Sequence, residues 1–322
     1  MIYFQRLVTS LIFLVFLLTV PNQGTAQQSQ TEYTESVEVE LIDVYLSATD
    51  SKGRIIDDLK KEDLVLKEDG IPQEIKEFSV LGTRQTDIDL VVALVIDVSN
   101  SMHEGSKEVS KMDIAKAAAR EIMRLLRPQD QIMLVSFDTR VKVISALTSD
   151  MTKMESAVSA LQPSYGRTAM WDGIHAAAET MSAVEGRKIM YVCSDGLDNA
   201  SKLKVEEVVA KDLGASEITV ISLGTIEFER GGHYYGQEND YRDGKQTMQT
   251  LADKTGGYAF FPEKAKDLPQ MLEKVRSGVQ SLYSVAYESS NPEKDGSWRK
   301  IEIETKRKGI KLKYRDGYYA TP

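Results

Sequence analysis

The stretch Leu90-Val91-Val92-Ala93-Leu94-Val95-Ile96-Asp97 is seven apolar residues in a row closed by one carboxylate. A run this long without alternation suits a strand covered on both faces, as in a parallel sheet with helices above and below it. The chain continues Val98-Ser99-Asn100-Ser101, so the strand ends in an Asp-x-Ser-x-Ser turn. Ligands of open α/β sheets collect at that carboxyl edge.

Working outward, residues 112–126 place Ile114, Ala115, Ala118, Ile122, Leu125 and Leu126 on one helical face, and Pro128 closes the helix. Residues 131–137, 141–144, 188–193, 218–223 and 258–261 read as strands. Residues 154–161, 171–181, 205–213, 248–252 and 268–279 read as helices. Repeated strand–helix alternation predicts a doubly wound, mostly parallel sheet. Residues 225–247 lack apolar periodicity and read as a surface loop leaving the same sheet edge.

The two ends differ from this middle. Val37, Val39 and Leu41, then Ile42, Val44, Leu46 and Ala48, alternate with period two. The phase slips once between Leu41 and Ile42, which a β-bulge would absorb. Asp69-Gly70 marks a hairpin turn, and residues 282–288, 299–305 and 310–314 are three further strands. Two or three strands rarely stand alone. The expected organisation is therefore a small β-rich domain built from both termini (27–86 and 280–322) with the α/β domain (87–279) inserted. The basic residues of the last segment, from Arg299 to Arg315, read as a solvated strand face because Ile301, Ile303, Ile310 and Leu312 alternate with them.

Residues 1–26 read as a secretory signal peptide. One positive charge precedes fourteen uncharged residues (7–20), followed by Pro21 and the small residues Gly24-Thr25-Ala26. Fourteen is short of the roughly 20 needed to span a bilayer. Cleavage after Ala26 would leave no integral membrane span and a secreted or periplasmic, cell-envelope location.

Composition narrows the chemistry. Among 322 residues, 42% are hydrophobic and 28% charged, ordinary values for a folded protein. Lys and Arg number 40 against 49 Asp and Glu, a net charge of −9, which argues against nucleic acid as partner. One cysteine, Cys193, excludes an internal disulfide and a multi-Cys metal site, and three scattered histidines leave little room for a His-based one. Carboxylates and hydroxyls remain. Asp97, Ser99 and Ser101 are hard oxygen donors suited to Mg²⁺, Mn²⁺ or Ca²⁺. Two other segments reach the same edge: Gly166-Arg167-Thr168-Ala169, offering a hydroxyl, and Cys193-Ser194-Asp195-Gly196, offering a second carboxylate.

These segments together resemble a von Willebrand factor type A domain, from about Asp87 to Val279, with its metal-ion-dependent adhesion site. The flanking stretches resemble a group of secreted bacterial type A proteins. The resemblance implies that Asp97, Ser99, Ser101, Thr168 and Asp195 form the metal site. By residue type, the three hydroxyls would be direct ligands and the two carboxylates would hold coordinating waters. It further implies a protein-binding, adhesion or assembly module that captures an exposed Asp or Glu of a partner. Asp172 and Asp198 read as turn or cap residues, His103 as a loop residue at the rim, and Cys193 as inert.

Two other readings stay open: a metal-dependent hydrolase, and a structural envelope protein with a stabilising metal. Against catalysis, Val98 and Ser99 stand where an aspartyl-phosphate enzyme has its second aspartate. No Gly-x-x-x-x-Gly-Lys loop or Gly-x-Ser-x-Gly elbow is present. The expectation is a protein that is not an enzyme.

Overall fold

The central sheet forms where the apolar run 90–96 predicts it. A computed structural model describes residues 41–52, 54, 56–80, 89–105, 109–213, 217–225, 238–262, 269 and 283–320. The expected signal peptide and the expected bulge before Ile42 lie outside these residues, as does all but one residue of the helix expected over 268–279.

In chain order the sheet strands are β1 (Ile42–Asp50), β2 (Leu64–Glu68), β3 (Ile71–Gln73), β4 (Ile75–Val80), β5 (Leu90–Asp97), β6 (Gln131–Phe137) and β7 (Val141–Thr148). They continue with β8 (Arg187–Ser194), β9 (Thr219–Gly224), β10 (Ala259–Phe260), β11 (Tyr283–Tyr287), β12 (Trp298–Thr305), β13 (Ile310–Tyr314) and β14 (Gly317–Tyr319). The helices are α1 (Lys111–Leu125), α2 (Met151–Ala160), α3 (Met170–Ser182), α4 (Val205–Glu207) with a π-helical continuation over Val208–Leu213, and α5 (Glu238–Lys254).

Six strands make the central sheet in the order β10-β9-β8-β5-β6-β7. All neighbours are parallel except β6 and β7, so β7 is an antiparallel edge. Strand β5 is buried on both faces, as its sequence requires. Val92, Leu94 and Ile96 pack with Ile114, Ala118 and Ile122 of α1 and with Met154 and Val158 of α2. Val91, Ala93 and Val95 pack with Ile174 and Ala178 of α3 and with Met248 and Leu251 of α5. Helix α1 starts at a reciprocal cap: Ser110 Oγ accepts the Asp113 amide at 3.1 Å, and Asp113 Oδ2 accepts the Ser110 amide at 2.9 Å.

Two antiparallel four-stranded sheets draw on both ends of the chain, ordered β13-β1-β11-β4 and β14-β12-β2-β3. Their shared core holds Val44, Leu46, Leu66, Tyr283, Val285 and Ile303. Glu68 is buried there and accepts hydroxyl hydrogen bonds from Tyr287 at 2.7 Å and Tyr318 at 2.9 Å. The β2–β3 turn is the expected Asp69-Gly70, with φ of 49° and 79°. Both values are positive, as a two-residue primed turn demands.

Two expectations change. Helix α5 begins at Glu238, so residues 238–247, read as loop, are helical. Among residues 242–247 only Gly244 is buried, and sequence reading takes it for a loop residue. The basic C-terminal segment is also not wholly a solvated face. Arg299 and Arg315 are buried, Arg299 donating to the Glu293 carbonyl at 2.8 Å and Arg315 to the Asp43 carbonyl at 2.6 Å and Glu217 at 3.0 Å. Strand alternation does not show that Arg315, just past β13, reaches Asp43 of β1 and Glu217 before β9.

Candidate functional site

Strand β5 lies between β6 and β8 with Asp97 opposite Phe137 and Ile96 opposite Cys193. The carboxyl ends of β5 and β8 are therefore level, and Asp97 sits beside Ser194. Asp97 is fully buried. Its Oδ1 accepts the Ser99 amide at 2.7 Å, and its Oδ2 accepts the Ser194 hydroxyl at 2.7 Å. The first bond closes the turn, which runs into a 3-10 helix at Asn100–His103. That turn brings Ser99 Oγ to 3.3 Å from Ser101 Oγ.

The loop before α3 is tied to this turn through its backbone. Ser164 N donates to the Val98 carbonyl at 2.6 Å, and Asn100 N to the Gly166 carbonyl at 3.1 Å. Thr168, buried at the end of the loop, is held from the other side. Its amide donates to Asn199 Oδ1 at 3.0 Å, and its carbonyl accepts the amides of Asn199 and Ala200, both at 3.0 Å.

Asp195 follows β8, and its Oδ1 accepts the Leu197 amide at 3.2 Å. Gly196 has φ of 79°, and a Cβ there would stand 2.3 Å from the Gly244 carbonyl oxygen. A Cβ on Gly244 would stand 2.3 Å from the Asp195 carbonyl oxygen. Helix α5 thus meets the Asp195 turn backbone to backbone, a distance only a pair of glycines allows.

The three loops that carry Asp97, Ser99, Ser101, Thr168 and Asp195 are accordingly linked into one edge structure. Burial, reinforced by the charge of Asp195, pushes the Asp97 carboxyl up to about 7. Burial raises the Cys193 thiol well above its usual range, with the Asp97 charge adding to it, which keeps the thiol protonated. No three His, Cys, Asp or Glu side chains come together among the described residues. The donor set here is two carboxylates with three hydroxyls, a set fit for a hard cation. The 3.3 Å between the two serine oxygens is close to the ~3 Å separating neighbouring ligands of an octahedral ion with bonds of about 2.1 Å.

Asp172 and Asp198 point at backbone and hydroxyl donors. Asp198 Oδ2 accepts the Trp171 amide at 3.1 Å, and Asp172 Oδ1 accepts the Lys202 and Leu203 amides, each at 3.0 Å. His103 stacks on Tyr165 at the rim. Four supporting residues escape sequence reading. Ser194 holds Asp97, Asn199 holds Thr168, and Gly244 seats the Asp195 turn. Asp138 accepts the Arg140 amide at 2.8 Å while its own carbonyl accepts the Ala169 amide at 2.8 Å. Burial opposes ionisation of Asp138, but the Arg140 amide, the Ser164 hydroxyl and the charges of Lys142 and Arg140 outweigh it and hold the carboxyl below its usual value. Only Ser194, adjacent to Asp195, carried a positional hint.

Residues 92–197, which span β5 to the Asp195 turn, match the von Willebrand factor type A domain family. This chain carries a von Willebrand factor type A domain. A protein of Mycolicibacterium vanbaalenii named UPF0353 protein is 25% identical over 232 residues, 66% of this chain and 65% of that protein. The chain thus spans slightly under two thirds of that relative's length. Among solved structures, a von Willebrand factor type A protein from Catenulispora acidiphila aligns with a TM-score of 0.48 and 12% identity, covering 86% of this chain and 72% of its own. An aerotolerance-related membrane protein from Bacteroides fragilis aligns with a TM-score of 0.46 and 17% identity, covering 59% of this chain and 98% of its own. Among the described residues, no helix is long and apolar enough to cross a membrane.

Proposed function

We propose that this type A protein is an extracytoplasmic protein-binding module whose edge site holds one Mg²⁺, Mn²⁺ or Ca²⁺ ion and takes an Asp or Glu side chain of a partner. The observation that carries this reading is the junction of three loops, which sets a buried Asp97 beside Ser194 and brings the Ser99 and Ser101 hydroxyls to 3.3 Å. Ser99, Ser101 and Thr168 would hold the ion directly, and Asp97 and Asp195 would hold its waters. The ion, when bound, supplies a local positive charge with a coordination position for a carboxylate oxygen.

The chain's own residues do the rest. Neutral hydroxyl ligands leave the cation's charge less compensated than carboxylate ligands would. The hydrogen bonds of Asp97 to the Ser99 amide and the Ser194 hydroxyl fix its oxygens, so the two serine hydroxyls are presented on a preset turn. An extracytoplasmic place follows from the signal-like residues 1–26, and the N-terminal sequence of the mature protein would establish it.

Capture of partners from an extracytoplasmic fraction tests the reading. Retention should occur in Mg²⁺, vanish in EDTA, and fall at least tenfold for Thr168→Ala, which removes one ligand. A partner retained equally in EDTA contradicts the proposal.

A further inference from the structure

The loops around Asp97 and Asp195 carry side chains that the fold does not use. Tyr165 is 89% exposed, and its ring stacks on His103 with 4.8 Å between centroids. The rings come from two different loops, His103 just past Ser101 and Tyr165 just before Thr168. Arg167, adjacent to Thr168, is exposed, as is Lys202 on the third loop. Neither side chain makes a hydrogen bond or ion pair with a described residue.

The acidic residues of the same loops are not free in this way. Glu104 is paired with Lys111 at 2.7 Å. Asp138, Asp172 and Asp198 accept hydrogen bonds from the Arg140, Lys202 and Ser201 amides. On a chain of net charge −9, the described rim thus carries two exposed cations, Arg167 and Lys202, that no described carboxylate pairs with. That distribution adds a local attraction for an anionic partner beside the one a bound cation would supply.

We propose that Arg167 and the Tyr165–His103 stack form a second contact for the partner, which is an acidic protein segment with two carboxylates. This rests on the function proposed above. One carboxylate goes to the Asp97–Asp195 site. The other, two residues along the segment, goes to the Arg167 guanidinium, and the backbone between them lies over the Tyr165 ring. The spacing follows from chain geometry. Arg167 and Thr168 are neighbours, with Cα atoms about 3.8 Å apart. In an extended segment, residues i and i+2 point the same way about 6.6 Å apart, a gap the long arginine side chain spans. Tyr165 supplies a flat, rigid ring to the backbone at little entropic cost.

The test uses two acetylated, amidated heptapeptides of glycine, one with a single central glutamate and one with a second glutamate two residues further on. Binding to the whole protein is followed by NMR titration in Mg²⁺ and in EDTA. With Mg²⁺ the two-glutamate peptide should bind about fivefold more tightly, the gain expected of one exposed ion pair. That ratio should fall to about one in Arg167→Ala and persist in Arg167→Lys. Tyr165→Ala should weaken both peptides alike. A ratio that stays near five in Arg167→Ala, or that is one in the wild type, overturns the second contact while leaving the cation site standing. If neither peptide binds in Mg²⁺, the proposed function fails and the second contact fails with it.

Discussion

Ser194 shows how a single side chain governs the candidate site. Its hydroxyl donates to Asp97 Oδ2 at 2.7 Å and accepts the Gly196 amide at 3.2 Å, so it links the two carboxylate-bearing turns. Replacing it with alanine leaves a buried carboxylate short of a donor. Such a loss costs about 1–3 kcal/mol, and loss of an outer partner that fixes the groups around a metal typically lowers its affinity 10–100-fold. For Ser194→Ala the expected results are a lower Tm and at least tenfold weaker Mn²⁺ binding by titration. Unchanged affinity would mean that Ser194 does not orient Asp97. At this scale the sequence was informative about what faces the sheet edge and silent about what supports it. Asp97 stood out because an apolar run ends on it. Asn199, Gly244 and the Asp138 carbonyl act through contacts to backbone 31 or more residues away, as in the 3.0 Å bond from the Thr168 amide to Asn199, and no local pattern marks such a contact.

Helix α5 is the element whose role was least legible. Its first turns carry charges and a glycine that resemble a loop, and its helical conformation is stabilised by packing of Gly244, Met248, Leu251 and Ala252. An alanine replacing a glycine inside a helix ordinarily stabilises it by about 1 kcal/mol. Gly244→Ala should do the opposite, because the new Cβ would meet the Asp195 carbonyl oxygen at 2.3 Å. The expected outcome is a lower Tm together with weaker cation binding, read by thermal melts with and without Mg²⁺. A higher Tm with intact binding would show that α5 does not brace the Asp195 turn. By contrast, β5 and the Asp69-Gly70 hairpin were legible because a long apolar run and a two-residue turn each have few alternatives.

At the scale of the whole molecule, the mostly parallel sheet and the strands at both ends of the chain followed from the change of period along the sequence. How the two antiparallel sheets meet the α/β layer did not, since it depends on Arg315, Tyr258 and Asp43 from distant segments. Thr255 and Arg315 form a β-bridge there, and Ser47 hydrogen-bonds the Tyr258 hydroxyl. Burial, with the charges of Glu217 and Glu77 outweighing Arg315, pushes the Asp43 carboxyl up to about 6 from 3.8. The folded state thus favours protonated Asp43. Its stabilising contribution is complete below pH 3.8 and is lost as pH rises through about 6. Asp43→Asn should therefore melt higher than wild type at pH 7.5, with the difference shrinking as pH falls from 6 to 4. A difference independent of pH would remove Asp43 as its source. The central claim, that three loops on one sheet edge hold a divalent cation, is tested most directly by calorimetric titration of Mn²⁺ into the wild type and into Asp97→Ala, with circular dichroism of both. The predicted result is one ion bound per wild-type chain and none in a variant that keeps its secondary structure. Undiminished binding in folded Asp97→Ala would contradict the site.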